Sequence, residues 1–264
     1  MMSLIEVDQE KCKRDGICAT ICPLELIRQE GEGFPEPTAD ADQLCISCGH
    51  CVAACPTGAL SLSRMPAGDC HPVRDDLRVS AEAVEQFLKV RRSVRVFKEE
   101  PVPREVLERV IDSTRWAPSA INIQPVRWVV VEKPADVRHL AGLIAAWMRK
   151  ETVAPRYVAA WDRGKDVVLR GAPHLVAACA PTGNFWAPVD CAIALTYLEI
   201  AAQAHGLGTC WSGLLTRAAA SSAPIAEFLG LKDDKRINGA VMIGYPKYRY
   251  QRIPMRNRAM VTWR

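Results

Sequence analysis

The sequence predicts two regions of different kind. A small cysteine-rich module occupies residues 1–64, a linker covers 65–79, and a mixed helix-and-strand body with more helix than strand runs over 80–264. Three observations carry this reading. Seven of the eleven cysteines fall in the first 55 residues. Pro66, Gly68, Pro72 and a string of charges mark a connector. Beyond it, segments with helical spacing alternate with short β-rich apolar runs.

Taken in order, residues 4–8 read as a short strand entering the first cysteine segment, and 23–28 as one short helix. Gly31, Gly33, Pro35 and Pro37 mark a turn region, and 59–62 a closing strand. In the body, Ser80 is an N-cap candidate for a helix over 80–91, with Val84, Phe87, Leu88 and Arg91 along one face. Pro103 suits the first turn of the next helix, where Val106, Leu107, Val110, Ile111 and Thr114 recur at helical spacing. A strand over 126–131, a helix over 135–150 and a short apolar strand over 174–180 follow. Residues 189–205 form a long helix, apolar nearly all round and therefore buried, stopped by Gly206. Residues 237–244 read as a core strand, and the last twenty residues show no periodicity.

Hydrophobic residues make up 49% of the 264, enough for at least one substantial core. The net charge of +4 is unevenly spread. Residues 1–64 hold five basic and ten acidic residues, a net −5, and the remainder holds 29 and 20, a net +9. A basic body suits an anionic ligand such as a phosphate-bearing cofactor. No Lys/Arg run with interleaved aromatics points to nucleic acid. No apolar stretch reaches the ~18–20 residues that span a bilayer. The start, Met1-Met2-Ser3-Leu4-Ile5-Glu6, lacks the basic and apolar parts of a secretory signal. Cysteines that must stay reduced place the expected compartment in the cytoplasm.

The most specific signal is Cys45-x-x-Cys48-x-x-Cys51-x-x-x-Cys55-Pro56. That spacing binds a cubic iron–sulfur cluster: three thiolates come from one loop, and the fourth cysteine crosses to a second cluster. Cys12-x-x-Asp15-x-x-Cys18-x-x-x-Cys22-Pro23 repeats it, with Asp15 where a second cysteine would stand. The crossed rule gives one site from Cys45, Cys48, Cys51 and Cys22, and another from Cys12, Asp15, Cys18 and Cys55. Zinc knots also use Cys-x-x-Cys, but do not need four cysteines so spaced before proline, twice over. The module resembles the bacterial two-cluster ferredoxins. Asp15 departs from their pattern. A carboxylate can ligate iron, but it is harder and more labile than thiolate. The first site is expected to hold [4Fe–4S] with one Asp ligand or [3Fe–4S], unless Asp15 only decorates the loop and the site is empty; the second is expected to hold [4Fe–4S]. So small a module buries little core, and its clusters act as staples.

Three segments of the body read together. Arg91-Arg92-Ser93-Val94-Arg95 suits a phosphate through its forked donors, or is a solvated helix end. Ala117-Pro118-Ser119-Ala120-Ile121-Asn122-Ile123-Gln124-Pro125 precedes a strand and could be only a turn. Gly206-Leu207-Gly208-Thr209-Cys210-Trp211-Ser212-Gly213 reads as a glycine-bearing loop that lets backbone approach a flat ring, or simply ends a helix. Their order, with Gly244-Tyr245-Pro246 before a basic tail, resembles the nitroreductase family of flavin enzymes over residues 85–264. The resemblance implies an α+β fold and a homodimer with FMN at the subunit interface. It also implies ligand roles: Arg91, Arg92, Ser93 and Arg95 on ribityl and phosphate, Asn122 at the isoalloxazine edge, Ser212 and Gly213 beside the ring, and Arg252, with Arg249, on the phosphate. The family's acidic residue before the loop glycine is replaced by Ser212.

The whole chain thus resembles a ferredoxin–nitroreductase fusion. The expected function is an FMN-dependent oxidoreductase fed by its own clusters, reducing a small electron-poor acceptor such as a nitroaromatic, quinone or activated alkene. No protein nucleophile is needed, and the external electron donor is open. With no Gly-x-Gly-x-x-Gly after a strand, direct NAD(P)H oxidation is expected to be poor. The rivals are a non-catalytic redox sensor and other reductive chemistry on the same fold, such as dehalogenation. Trp161, Trp186 and Trp211 could wall a substrate pocket or pack in the core. Cys179, Cys191 and Cys210 read as small buried hydrophobes. His50 reads as solvated, and His174 and His205 as structural.

Overall fold

The computed structural model describes residues 4–264; Met1-Met2-Ser3, part of the leader reading, lies outside them. The chain forms two compact units. One runs up to Arg78 and includes Ile121–Ile123; the other comprises Val79–Ala120 and Gln124–Arg264.

In the first unit β1 (Ile5–Val7) pairs antiparallel with β4 (Leu60–Leu62), Ile5 facing Leu62 and Val7 facing Leu60. β2 (Ile27–Arg28) pairs with β3 (Glu36–Pro37). Three short helices, α1 (Ile17–Ile21), α2 (Ala41–Leu44) and α3 (His50–Ala54), complete it. Ile5, Leu26, Ile27, Val52, Leu60 and Leu62 share a small core with Cys18 and Cys51. The helix expected over 23–28 is not formed. Glu25 is left-handed at φ 54°, which breaks a helical turn, and Ile27–Arg28 joins a sheet instead. The helical turn lies one step earlier, within the cysteine segment itself.

The second unit is α+β. Its four-stranded antiparallel sheet has the order β5 (Arg127–Val131), β6 (His174–Pro181), β8 (Lys235–Gly244), β7 (Gly208–Trp211). Side chains alternate along the central strands, so each face feeds its own core. Leu175, Ala177, Cys179, Ala240 and Met242 pack with α6 (Pro134–Lys150). Val176, Ala178, Ala180, Val241 and Ile243 pack with α8 (Ala187–Ala204). The long apolar helix is buried as its composition demands, and Gly206, at φ 73°, follows its end.

Ser80 caps α4 (Ala81–Val90), its side chain accepting the Ala83 N–H at 3.2 Å. Val84 and Leu88 on that helix are exposed. Pro103 stands just before α5 (Arg104–Asp112) rather than within it. Short helices α7 (Pro155–Asp162), α9 (Gly213–Ala219) and α10 (Ala223–Phe228) cover the α6 side. Residues 208–211, expected as loop, form the edge strand β7. Gly208 is there because a Cβ would meet Val94 Cγ2 at 2.4 Å and Pro246 Cγ at 3.0 Å. The glycine serves close approach, not a turn. From Tyr248 onward the chain has no regular structure beyond bends and is exposed.

Candidate cofactor sites

The two cysteine segments fold alike. Arg14, Gly16 and Glu25 are left-handed, and so are their counterparts Ser47, Gly49 and Gly58. Gly16 and Gly49 each open the short helix that carries the third ligand position, Cys18 or Cys51. Cys22 accepts the Leu26 N–H at 3.4 Å, and Cys55 accepts the Ala59 N–H at 3.2 Å. Such bonds to ligand sulfurs tune a cluster's potential.

Two voids result. One is lined by Cys45, Cys48, Cys51 and Cys22, with Ile5, Leu26 and His50 among its walls. The other is lined by Cys12, Asp15, Cys18 and Cys55. Each gathers one segment's three positions and the other segment's last cysteine, the arrangement two cubic clusters require. Thiolate-rich sets of four donors, three from one segment and one from the other, fit clusters. Asp15 Oδ1 accepts the Ile17 N–H at 3.1 Å. Burial, with Cys48 and Cys22 nearby, pushes the Cys51 thiol up to about 11, and burial raises Cys18. At Cys55 burial would raise the thiol, but N–H donors at Thr57, Leu60 and Ala59 outweigh it and leave it lowered.

In the second unit a cavity of about 1170 Å³ lies beside the edge strand. Its wall is a strap over residues 91–98. The strap runs parallel to β7 at Ser93 and Thr209, with the Val94 N–H donating to Thr209 O at 2.8 Å. On its other side it pairs with the chain after β8: Lys98 N–H donates to Tyr245 O at 2.9 Å, and Lys247 N–H to Val96 O at 3.0 Å. Arg91, Arg92, Lys98, Lys247, Arg249 and Arg252 line the cavity against one carboxylate, Glu199. Six cations facing one acid fit a phosphate-bearing ligand.

Of the expected flavin ligands, Arg91, Arg92, Arg249 and Arg252 line this cavity; Ser93, Arg95, Asn122, Ser212 and Gly213 do not. Arg95 is exposed, its Nη1 donating to Ser93 O at 3.4 Å. Ser212 is buried and among the described residues its Oγ has no hydrogen-bond partner, an orphan hydroxyl that suits a ligand acceptor or donor. Asn122 belongs to the first unit, where its Nδ2 donates to Ile46 O and Ser47 O at 3.0 Å. Ile121, Asn122 and Gln124 are all left-handed, an uncommon conformation for a β-branched residue such as Ile121.

Sequence reasoning passed over Glu199. It is a buried acid on an otherwise apolar stretch of α8, and that contrast was the available signal. Its Oε1 accepts Thr209 Oγ1 at 2.8 Å and Arg91 Nη1 at 3.4 Å, and its Oε2 accepts Trp211 Nε1 at 2.8 Å. Asp190, also buried, accepts the Ala120 N–H at 3.0 Å. Of the tryptophans, Trp161 packs against the α6 core, Trp186 is exposed, and Trp211 is partly exposed and held by Glu199. Cys179, Cys191 and Cys210 are buried, and burial raises each thiol, Cys191 to about 11. His174 is buried between Val102 and Glu132, while His50 and His205 are exposed.

Comparison with known proteins adds independent support. The model of the nitroreductase family matches residues 88–245, and that of the 4Fe–4S dicluster domain matches residues 10–60. A putative NADH dehydrogenase/NAD(P)H nitroreductase of Methanothermobacter thermautotrophicus is 26% identical over 147 residues, 54% of this chain and 66% of that protein. The FMN-dependent nitroreductase NfnB from Mycobacterium smegmatis, solved in complex with NADPH, superposes with TM-score 0.53 at 25% identity, over 67% of this chain and 95% of that one. A shorter segment of 64 residues is 38% identical to iodotyrosine deiodinase 1 of Rattus norvegicus, covering 24% of this chain and 22% of that one.

Proposed function

The chain belongs to the nitroreductase family, and from that premise we propose that it is an FMN-dependent oxidoreductase fed by two iron–sulfur clusters in its own N-terminal domain. The proposed acceptor is small and electron-poor: a nitroaromatic, quinone or activated alkene. One observation carries the reading. A single chain holds both a cation-lined cavity and two voids with crossed cysteine sets. When bound, clusters pass electrons singly, and FMN takes them up singly or in pairs and delivers a pair to an acceptor.

The rest is the protein's work. Arg91 and Arg92 from the strap, and Arg249 and Arg252 from the tail, would grip the phosphate from two sides. Ser93 and Arg95 would serve the ribityl side, and Ser212 and Gly213 the ring. Asn122 would serve the isoalloxazine edge. Cys22, Cys45, Cys48 and Cys51 would hold [4Fe–4S]. Cys12, Asp15, Cys18 and Cys55 would hold [4Fe–4S] with one oxygen ligand, or [3Fe–4S]. Tethering the module to the body raises the local donor concentration well above that of a free carrier.

We propose further that the protein works as a homodimer with FMN at the interface. The exposed apolar side of α4, at Val84 and Leu88, and the exposed tail with Tyr248, Tyr250 and Trp263 support this reading. None of the described helices is long and apolar enough to cross a membrane. The cluster thiolates favour a reducing compartment, the cytoplasm.

The test is turnover of a nitroaromatic or quinone by photoreduced protein, compared with C45A/C48A protein that retains FMN. The proposal expects the variant to lose cluster-fed turnover. Equal turnover would overturn it. The nicotinamide in the name of the Methanothermobacter relative and the NADPH bound to NfnB favour direct NAD(P)H feeding as a second reading, and rapid flavin bleaching by NADH alone would establish it. The deiodinase likeness keeps reductive dehalogenation as an alternative, which product analysis with a halogenated phenol decides.

A further inference from the structure

Glu199 is an anomaly in α8. A carboxylate this buried is costly to desolvate, by several kcal/mol, unless it is fully partnered. Here it is: the Thr209 hydroxyl and the Trp211 indole N–H each donate at 2.8 Å, and Arg91 Nη1 approaches to 3.4 Å. Two of these donors sit on the edge strand and the third begins the strap. One anion therefore ties α8, β7 and the strap together. Among the described residues Glu199 is the acid that pairs with Arg91, whose side chain is only 32% exposed. Gly239 leaves room for the indole, since a Cβ there would meet Trp211 Cζ3 at 2.9 Å and Leu195 Cδ1 at 2.5 Å.

We infer that Glu199 is a positioning residue for the flavin phosphate. It holds the Arg91 guanidinium by one edge and leaves its other N–H donors for the cavity. The inference rests on the reading of this cavity as the FMN site. Two effects of the charge oppose each other. A negative group near an anion site weakens binding by repulsion, and an anchored guanidinium strengthens it by preorganisation. Repulsion here is offset by Arg91 itself, in direct contact, while without its anchor a partly exposed arginine turns to water. Anchoring dominates, and removing the carboxylate weakens FMN binding.

The test is a double-mutant cycle on FMN affinity, measured by flavin fluorescence quenching with apoprotein that keeps its clusters. E199Q and R91A should each raise the FMN Kd about 10-fold, the loss of one charge-assisted contact. In the R91A background E199Q should change the Kd by less than about 2-fold, because its effect runs through Arg91. Multiplying effects in the double variant, or tighter binding by E199Q, would overturn the inference. A merely structural role would lower thermal stability without that coupling. If E199Q does not fold, T209V removes one donor from the same carboxylate and completes the cycle with R91A. Failure of the wild-type protein to bind FMN would instead refute the function proposed above. Tight wild-type binding with no coupling refutes this inference alone.

Discussion

Gly208→Ala probes the strap most cleanly. A Cβ at this position would sit 2.4 Å from Val94 Cγ2, 2.7 Å from Val94 Cβ and 3.0 Å from Pro246 Cγ. Val94 is 5% exposed and Pro246 is held by the Phe97 bridge, so neither gives way freely. Overpacking of this kind costs about 1–3 kcal/mol. Gly208 does not need a left-handed backbone, so the ordinary gain of about 0.4–1 kcal/mol from Gly→Ala in the unfolded chain still applies. The net loss is about 1–2 kcal/mol, which at roughly 2–4 °C per kcal/mol lowers the unfolding midpoint of the flavin domain by about 2–8 °C. The strap carries Arg91 and Arg92, so FMN affinity should fall about 10-fold for the upper part of that loss. Gly183→Ala is the control: nothing lies within 4 Å of its Cβ, and it should be neutral or slightly stabilising. Calorimetry and flavin titration read both quantities. A G208A protein as stable and as avid for FMN as wild type would refute the packing argument.

Three further outcomes follow from the two units. Cys22→Ala should remove the all-cysteine cluster of Cys45, Cys48 and Cys51 and spare the Asp15 site, as followed by EPR and iron content; loss of the Asp15 site instead would contradict the crossing. Asp15→Cys should slow iron loss from that site on air exposure, since thiolate holds iron more firmly than carboxylate; identical loss rates would show that Asp15 is not a ligand. His174 accepts the Val102 N–H on Nε2 at 2.7 Å and donates from Nδ1 to Glu132 O at 2.6 Å, and the Glu132–Arg104 ion pair lies beside it. Burial holds its imidazole below the ordinary value of 6.5, against the opposing pull of Glu132. The unfolded chain then takes up the proton first. The stabilisation is complete above about pH 6.5 and is lost as pH falls through the folded value. Urea midpoints from pH 7.5 to 5 should fall in wild type and stay flatter in H174Q; parallel profiles would contradict the assignment.

The two cysteine sets were legible because cluster ligation would fix spacing along the chain, and each set lines one void. The helices α4 and α5 were legible from the period of their apolar residues, and α8 from its long, nearly all-round apolar composition. What escaped was set by packing across the sequence. Gly206-Leu207-Gly208 reads locally as a loop, yet Gly208 lies in a strand because Val94, more than a hundred positions earlier, needs the space. Residues 23–28 have helical composition, but left-handed Glu25 and the pairing with Glu36–Pro37 decide otherwise. Arg91 and Arg252 were read from a family pattern. The cavity that brings them together depends on the pairing of the strap with both β7 and the tail, and no local pattern shows that. Glu199 acts through Thr209, Trp211 and Arg91, and no local pattern links it to them.

The most direct measurement of the central claim is the absorption spectrum of anaerobically purified protein, with iron, sulfide and flavin analysis on the same sample. The account predicts a brown protein with broad iron–sulfur absorption, a flavin band, about seven or eight irons and one FMN per chain. Colourless protein that stays colourless after reconstitution with iron, sulfide and FMN would contradict it.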